Sequence, residues 1–209
     1  MDDSAVISHA ASGADEYDGI PVDSVAVSVA DDDSEREVLR DFYFYTGGSD
    51  WTNNTNWLSN RSLDQWHGVT VNGQGQVTQL ALDENNLVGS LPAELGNLSN
   101  LTRLALNRNS LTGAIPSGLG SLSNLSIIGL ARNNLSGSLP SGLGSLPLTR
   151  LSLHDNTGLS GALPSGFVNL ANLQRLAIAN TGLCAPNTEA FSDWLDTVSD
   201  KPGGVQTCE

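Results

Sequence analysis

Between Val77 and Leu183 the apolar residues follow two superposed rhythms. Short L-x-L runs alternate inward and outward positions, the period of a half-buried strand, and the runs themselves return every 24 residues. Written from Val77, the register is L-x-x-L-x-L-x-x-N-x-L-x-G-x-L-P-x-x-L-G-x-L-x-x. The first coil carries Val77, Leu80, Leu82, Asn85, Leu87, Gly89, Leu91, Pro92, Leu95, Gly96 and Leu98. The second starts at Leu101 and the third at Leu125, which is one residue short before Leu148. The fourth has one residue inserted before Leu159, and a fifth begins Leu173, Leu176, Ile178 before the pattern dissolves. One coil cannot cover its own leucines, so the pattern predicts coils stacked on one another, with a parallel sheet built from the x-x-L-x-L segments. Each buried Leu contributes roughly 1.5–3 kcal/mol, which makes this stacking the dominant stabilising term.

The polar positions that recur in register read as structural. Asn85, Asn109, Asn133 and Asn156 stand where the chain leaves the strand, and their amides are suited to bond the unpaired backbone of neighbouring coils. Gly89, Gly113, Gly137 and Gly161, each followed three residues on by proline, shape the turn and the back of the coil.

The stack needs ends. Ser34-Glu35-Arg36-Glu37 has the form of a capping box, followed by Val38, Leu39, Phe42 and Tyr45 on one helical face and by Gly47-Gly48 as a stop. Trp51, Trp57 and Trp66 follow in turn-rich sequence. They serve either as stacking platforms for a ligand or, the plainer reading, as a plug over the first coil. At the other end Ala190, Phe191, Trp194, Leu195 and Val198 make an amphipathic helix. Cys184 and Cys208 bracket it, and a disulfide clamping this cap implies an oxidising compartment. Their spacing offers no CxxC pair for redox or metal chemistry. The expected organisation is an acidic, disordered leader at 1–33, an N-terminal cap at 34–76, repeats at 77–183 and a C-terminal cap at 184–209.

Charge alters this picture in one respect. The 209 residues hold 9 basic and 23 acidic side chains, a net of −14, which disfavours nucleic acid and anionic membranes as partners. Residues 1–34 carry nine acids and no Lys or Arg, whereas residues 77–183 carry five arginines against four acids, a balance of +1. No apolar run has the length of a membrane span, and MDDSAVISHA has no signal-peptide form, so no direct membrane insertion is expected.

The N-x-L-x-G-x-[IL]-P-x-x-[LF] signature resembles leucine-rich-repeat proteins of the plant extracellular type, such as receptor-kinase ectodomains and polygalacturonase-inhibiting proteins. That resemblance implies an α/β repeat fold, a solenoid with a concave parallel β-sheet, a helical N-terminal cap and a disulfide-clamped helical C-terminal cap. The family's cap motif C-x-W-x-G-V-x-C aligns with Asp64, Trp66, Gly68, Val69 and Val71, with Asp64 and Val71 in place of both cysteines. This departure points to a bacterial, algal or protist relative and to a cap held by packing. Localisation is expected to be extracellular or at the cell surface. Sequons at Asn53, Asn60, Asn97, Asn100, Asn124 and Asn134 fit a secreted glycoprotein, although the N-L-[ST] turn of the repeat generates four of them by itself.

Nothing in the sequence points to an enzyme, a cofactor or a metal. His9, His67 and His154 do not cluster, and His154 and Asp155, adjacent on a strand, are expected on opposite sides. Recognition is the better reading, and strand alternation tells where. Position 3 of successive coils is Gln79, Arg103, Ile127, Arg150, Arg175, and position 5 is Ala81, Ala105, Gly129, Ser152, Ala177. Position 7 is Asp83, Asn107, Ala131, His154, Ala179, and position 8 is Glu84, Arg108, Arg132, Asp155. Glu84 with Arg108 and Asp155 with Arg132 form cross-strand pairs. Arg103, Arg150 and Arg175 have no acid in their own column. The expected binding residues are therefore Arg103, Arg150, Arg175, Arg108, Arg132, His154, Asn107 and Ile127, on a monomer that takes a protein or an acidic polysaccharide. A fold-back of the leader onto the same column is a further possibility. Ice binding through Val88, Thr112, Ser136 and Ser160, or a purely structural, adhesive role in a larger cell-surface protein, are the alternatives.

Overall fold

A computed structural model describes residues 32–201 and 205–209. The acidic leader and His9 lie outside these residues, except that Asp32 and Asp33 already belong to the first helix, α1 (Asp32–Tyr45). Ser34 consequently sits within the first turn of α1 and not ahead of it, so the expected capping box is displaced.

Eleven strands follow: β1 (Val69–Val71), β2 (Val77–Ala81), β3 (Val88–Ser90), β4 (Arg103–Ala105), β5 (Ser110–Gly113), β6 (Ile127–Gly129), β7 (Asn134–Gly137), β8 (Arg150–Ser152), β9 (Gly158–Ala162), β10 (Arg175–Ala177) and β11 (Gly182–Cys184). They form two sheets. One has the order β1-β2-β4-β6-β8-β10, parallel except for β1, and is the sheet expected from the L-x-L runs. The other, β11-β9-β7-β5-β3, was not anticipated. It is built from the segments after each asparagine, where one inward leucine per coil is too sparse an alternation to register as a strand in the sequence.

The leucines of the register are buried throughout. In the second coil Leu101, Leu104, Leu106, Leu111, Ile115, Leu119 and Leu122 all belong to the continuous core. The asparagines hold the turns. Asn133 Nδ2 donates to the Leu106 and Leu130 carbonyls while its Oδ1 accepts from Leu111 N, and Asn156 does the same for Leu130 O, Leu153 O and Leu135 N. The insertion in the fourth coil is absorbed at Gly158, where a Cβ would stand 2.8 Å from Leu135 O.

The back of each coil is a short 3-10 helix: Ala93–Asn97, Ser117–Ser121, Ser141–Ser145 and Ser165–Asn169. Glycine lets these stack at backbone contact. A Cβ on Gly144 would lie 2.7 Å from the Gly166 carbonyl carbon. Gly144→Ala is therefore expected to destabilise by roughly 1–3 kcal/mol, the usual range for overpacking. Gly137→Ala, whose Cβ meets only a methyl group at 3.9 Å but whose φ is +81°, should cost about 1–2 kcal/mol through strain alone. Urea titration of each variant against the unaltered protein reads the two losses.

Both ends are closed. β1 covers one edge of the first sheet, and Thr46 O accepts from Val88 N on the edge strand of the second. Trp51, Trp57 and Trp66 are buried against Phe42, with Trp51–Trp57 and Trp57–Trp66 centroids 4.8 and 5.1 Å apart. Glu35 Oε2 accepts from Val77 N at 2.6 Å, tying α1 to the first strand of the repeats. Tyr45 is exposed, contrary to expectation, because the buried stripe runs through Glu35, Leu39, Phe42 and Thr46. At the far end α2 (Glu189–Thr197) buries Phe191 and Trp194, and Cys184 is joined to Cys208. The chain beyond α2 lies along both remaining edges: Asp200 bridges to Arg175 on one sheet, and Thr207 pairs with Ala185 beyond β11 on the other. Covered edges cannot recruit further strands.

Candidate functional site

The outward side chains of the six-stranded sheet stand in straight columns because its parallel strands pair without offset. Gln79, Arg103, Ile127, Arg150 and Arg175 are successive partners, and so are Ala81, Ala105, Gly129, Ser152 and Ala177. The five arginines of the repeats thus share one face. They do not share one environment.

Three of them have acidic partners. Arg108 pairs with Glu84, and Arg132 Nε lies 3.3 Å from Asp155 Oδ2, as the column order suggested. Arg175 departs from expectation: its Nε is 3.4 Å from Asp200 Oδ2, supplied by the segment beyond α2. Sequence offered no register for that segment, so Asp200 could not be assigned to a column. The guanidinium groups of Arg103 and Arg150 make no hydrogen bond or ion pair with any described residue, and half-buried Ile127 lies between the two residues.

An open trough of about 390 Å³ runs beside these columns. Asp83, Glu84, Asn107, Arg108, Ala131, Arg132, Ser152, His154 and Arg175 line it, whereas Arg103, Ile127 and Arg150 lie on the same sheet outside it. Asn107 is engaged within the protein. Its Nδ2 donates to Asp83 Oδ1 and its Oδ1 accepts from Ala131 N. Position 8 adopts left-handed backbone in every coil, with φ of 55° at Glu84, 57° at Arg108, 56° at Arg132 and 59° at Asp155. This breaks the strand alternation and swings Asp155 toward its neighbour, so His154 Nε2 comes within 4.0 Å of Asp155 Oδ2 instead of pointing away. The Nδ1 of His154 is buried without a partner among the described residues. Among the described residues no serine hydroxyl is hydrogen-bonded to His154. Asn180 Nδ2 donates to Asp155 Oδ1 at 2.6 Å. That bond, aided by His154 and Arg132 and opposed by loss of solvent, holds the Asp155 carboxyl below its ordinary 3.8.

The second sheet presents a different face. Its exposed residues, among them Thr112, Asn134, Ser136 and Ser160, are small and uncharged. Its strands pair with a stagger of two residues per coil: Thr112 stands beside Ser90 and Asn134, and Ser136 beside Gly158. Val88, Thr112, Ser136 and Ser160 therefore run diagonally and form no straight row of hydroxyls. Of the six sequon asparagines, none lies on a strand of the six-stranded sheet.

Among the described residues no cluster of His, Cys, Asp and Glu has the makings of a metal site, and no helix is long and apolar enough to cross a membrane. The sequence model of the family described as Leucine Rich Repeat matches residues 100–122 and 124–146, within the second and third coils. The chain is built of leucine-rich repeats that resemble those of the plant extracellular type. Among solved structures, this leucine-rich-repeat chain is similar to PEPR1–AtPEP1, at 27% identity and TM-score 0.68 over 78% of the chain, and spans 23% of that protein. It is similar at 27% identity and TM-score 0.67 to the BIR2 ectodomain from Arabidopsis thaliana, covering 85% of this chain and 98% of that one. A plant ice-binding protein shares the fold at 22% identity and TM-score 0.56, over 77% of this chain and 60% of that one. No curated protein sequence matches significantly.

Proposed function

We propose that this leucine-rich-repeat protein is a non-catalytic recognition module, extracellular or at the cell surface, that takes an acidic segment of a partner protein on its concave six-stranded sheet. One observation carries the reading: among the described residues Arg103 and Arg150 occupy one column without a carboxylate partner, while Arg108, Arg132 and Arg175 are each paired. Two unpaired guanidinium groups on one wall raise the local potential, and an anionic ligand relieves it. The neighbouring column, Ala105, Gly129 and Ser152, puts no bulky side chain beside the arginines. Similarity to PEPR1–AtPEP1 and to receptor ectodomains supports a protein partner over a polysaccharide.

The test is binding of poly-glutamate and of polygalacturonate at two ionic strengths. Arg103→Gln/Arg150→Gln is expected to weaken poly-glutamate binding roughly three- to twentyfold and to flatten its salt dependence, from the usual worth of two exposed charge pairs. Unchanged binding rejects the site. Binding of polygalacturonate in preference to poly-glutamate replaces the protein partner by an acidic polysaccharide. Ice binding is the alternative reading, and thermal hysteresis of the unaltered protein would favour it over recognition.

A further inference from the structure

We infer that Arg103 and Arg150 select for spacing as well as charge, and that the preferred ligand is an acidic, proline-rich segment in polyproline II conformation with carboxylates at i and i+3. The inference rests on the acidic-ligand reading above and narrows it.

Arg103, Ile127 and Arg150 are register partners on β4, β6 and β8, so the two arginines stand two strand spacings apart. At about 4.8 Å per strand that separation is about 9.6 Å. A polyproline II helix has three residues per turn and rises about 3.1 Å per residue, which puts side chains i and i+3 on one side about 9.3 Å apart. An extended strand repeats on one side at about 6.7 Å and then about 13 Å, which brackets the separation without meeting it. An α-helix presents same-face pairs about 5–6 Å apart at i+3 and i+4 and about 10.5 Å apart at i+7, the first short of the separation and the second beyond it.

The rest of the face suits such a segment. Ile127, half-buried between the two arginines, gives the residues between the two acids an apolar surface, and proline supplies apolar ring atoms at fixed φ with no N–H left to satisfy. Beside the column, Ala105 and Gly129 are buried and raise no obstacle. Gly129 is kept small by Asn107, whose amide nitrogen lies 2.5 Å from where a Cβ would be. The remaining arginines are engaged with Glu84, Asp155 and Asp200, so recognition has two points and one spacing.

The experiment uses the full chain and three labelled peptides, each of three Glu and four Pro: E-P-P-E-P-P-E, E-P-E-P-E-P-P and E-E-E-P-P-P-P. Fluorescence anisotropy is expected to show the first binding roughly threefold or more tightly than the others, the scale of one exposed charge pair. Arg103→Gln and Arg150→Gln should each bring it down to the level of the other two, whereas Arg40→Gln on α1 should leave all three unchanged. Equal affinity for the three peptides, with both arginine variants weakening all of them, overturns the spacing inference and leaves acidic recognition standing. Binding that ignores both arginines, or no binding to any peptide, overturns the two together. The comparison among peptides is made on the unaltered protein, so it does not depend on how the variants fold.

Discussion

Asn156→Ala is expected to lower stability by roughly 2–5 kcal/mol, read by chemical denaturation. The side chain is fully buried and serves three backbone groups. Leu130 O keeps a second donor in Asn133 Nδ2, so the substitution newly strands two groups, Leu135 N–H and Leu153 O. Each stranded buried group costs about 1–3 kcal/mol. Asn134→Ala, one turn away and exposed, is the control and should stay within about 0.5 kcal/mol. A loss for Asn156→Ala no larger than the control's would mean that the asparagine column does not hold the coils. The same experiment distinguishes the ladder from leucine packing, because Asn156→Ala removes hydrogen bonds without removing any leucine.

The second large effect is expected from opening the Cys184–Cys208 bond. The two residues are 24 apart in sequence, and releasing a loop of that size costs about 3 kcal/mol through the entropy regained by the unfolded chain. For a domain of this size the melting temperature should fall by roughly 6–12 °C on reduction or in Cys184→Ser/Cys208→Ser. The damage should be local at first. In a stack of coils each unit leans on its neighbour, so the terminal one frays before the rest. Hydrogen exchange should therefore quicken in β10 and β11, where Asp200 and Thr207 cover the edges, while β4 and β5 hold their protection. An unchanged melting temperature after verified reduction would show that Phe191 and Trp194 alone keep the cap docked.

These two cases mark how far the sequence could be read. The asparagines were legible because they recur in register and have one chemical reason to be there. The disulfide was legible because only two cysteines exist and they flank a helix. The second sheet was not, since the segments that form it bring at most one buried leucine per coil and carry no alternation of their own. Tyr45 was misassigned for a similar reason: a short helix admits two neighbouring stripes, and only contact with Val77 and the tryptophans selects the one through Glu35 and Thr46.

The binding face shows the same division. Column membership followed from a period of 24 and the in-and-out alternation of a strand, so Arg103, Ile127, Arg150 and Arg175 could be aligned before any coordinates. Which of those arginines is left with an unspent charge could not. Asp200 lies 25 residues beyond Arg175, in a segment with no repeat to register it, and reaches the column only because α2 turns the chain back along the sheet edge. Repetition fixes what each coil does to the next, because the same short-range packing recurs. The pairing of charges at the ends is decided by chain segments that belong to no coil, and their positions exist only once the solenoid has been built and closed.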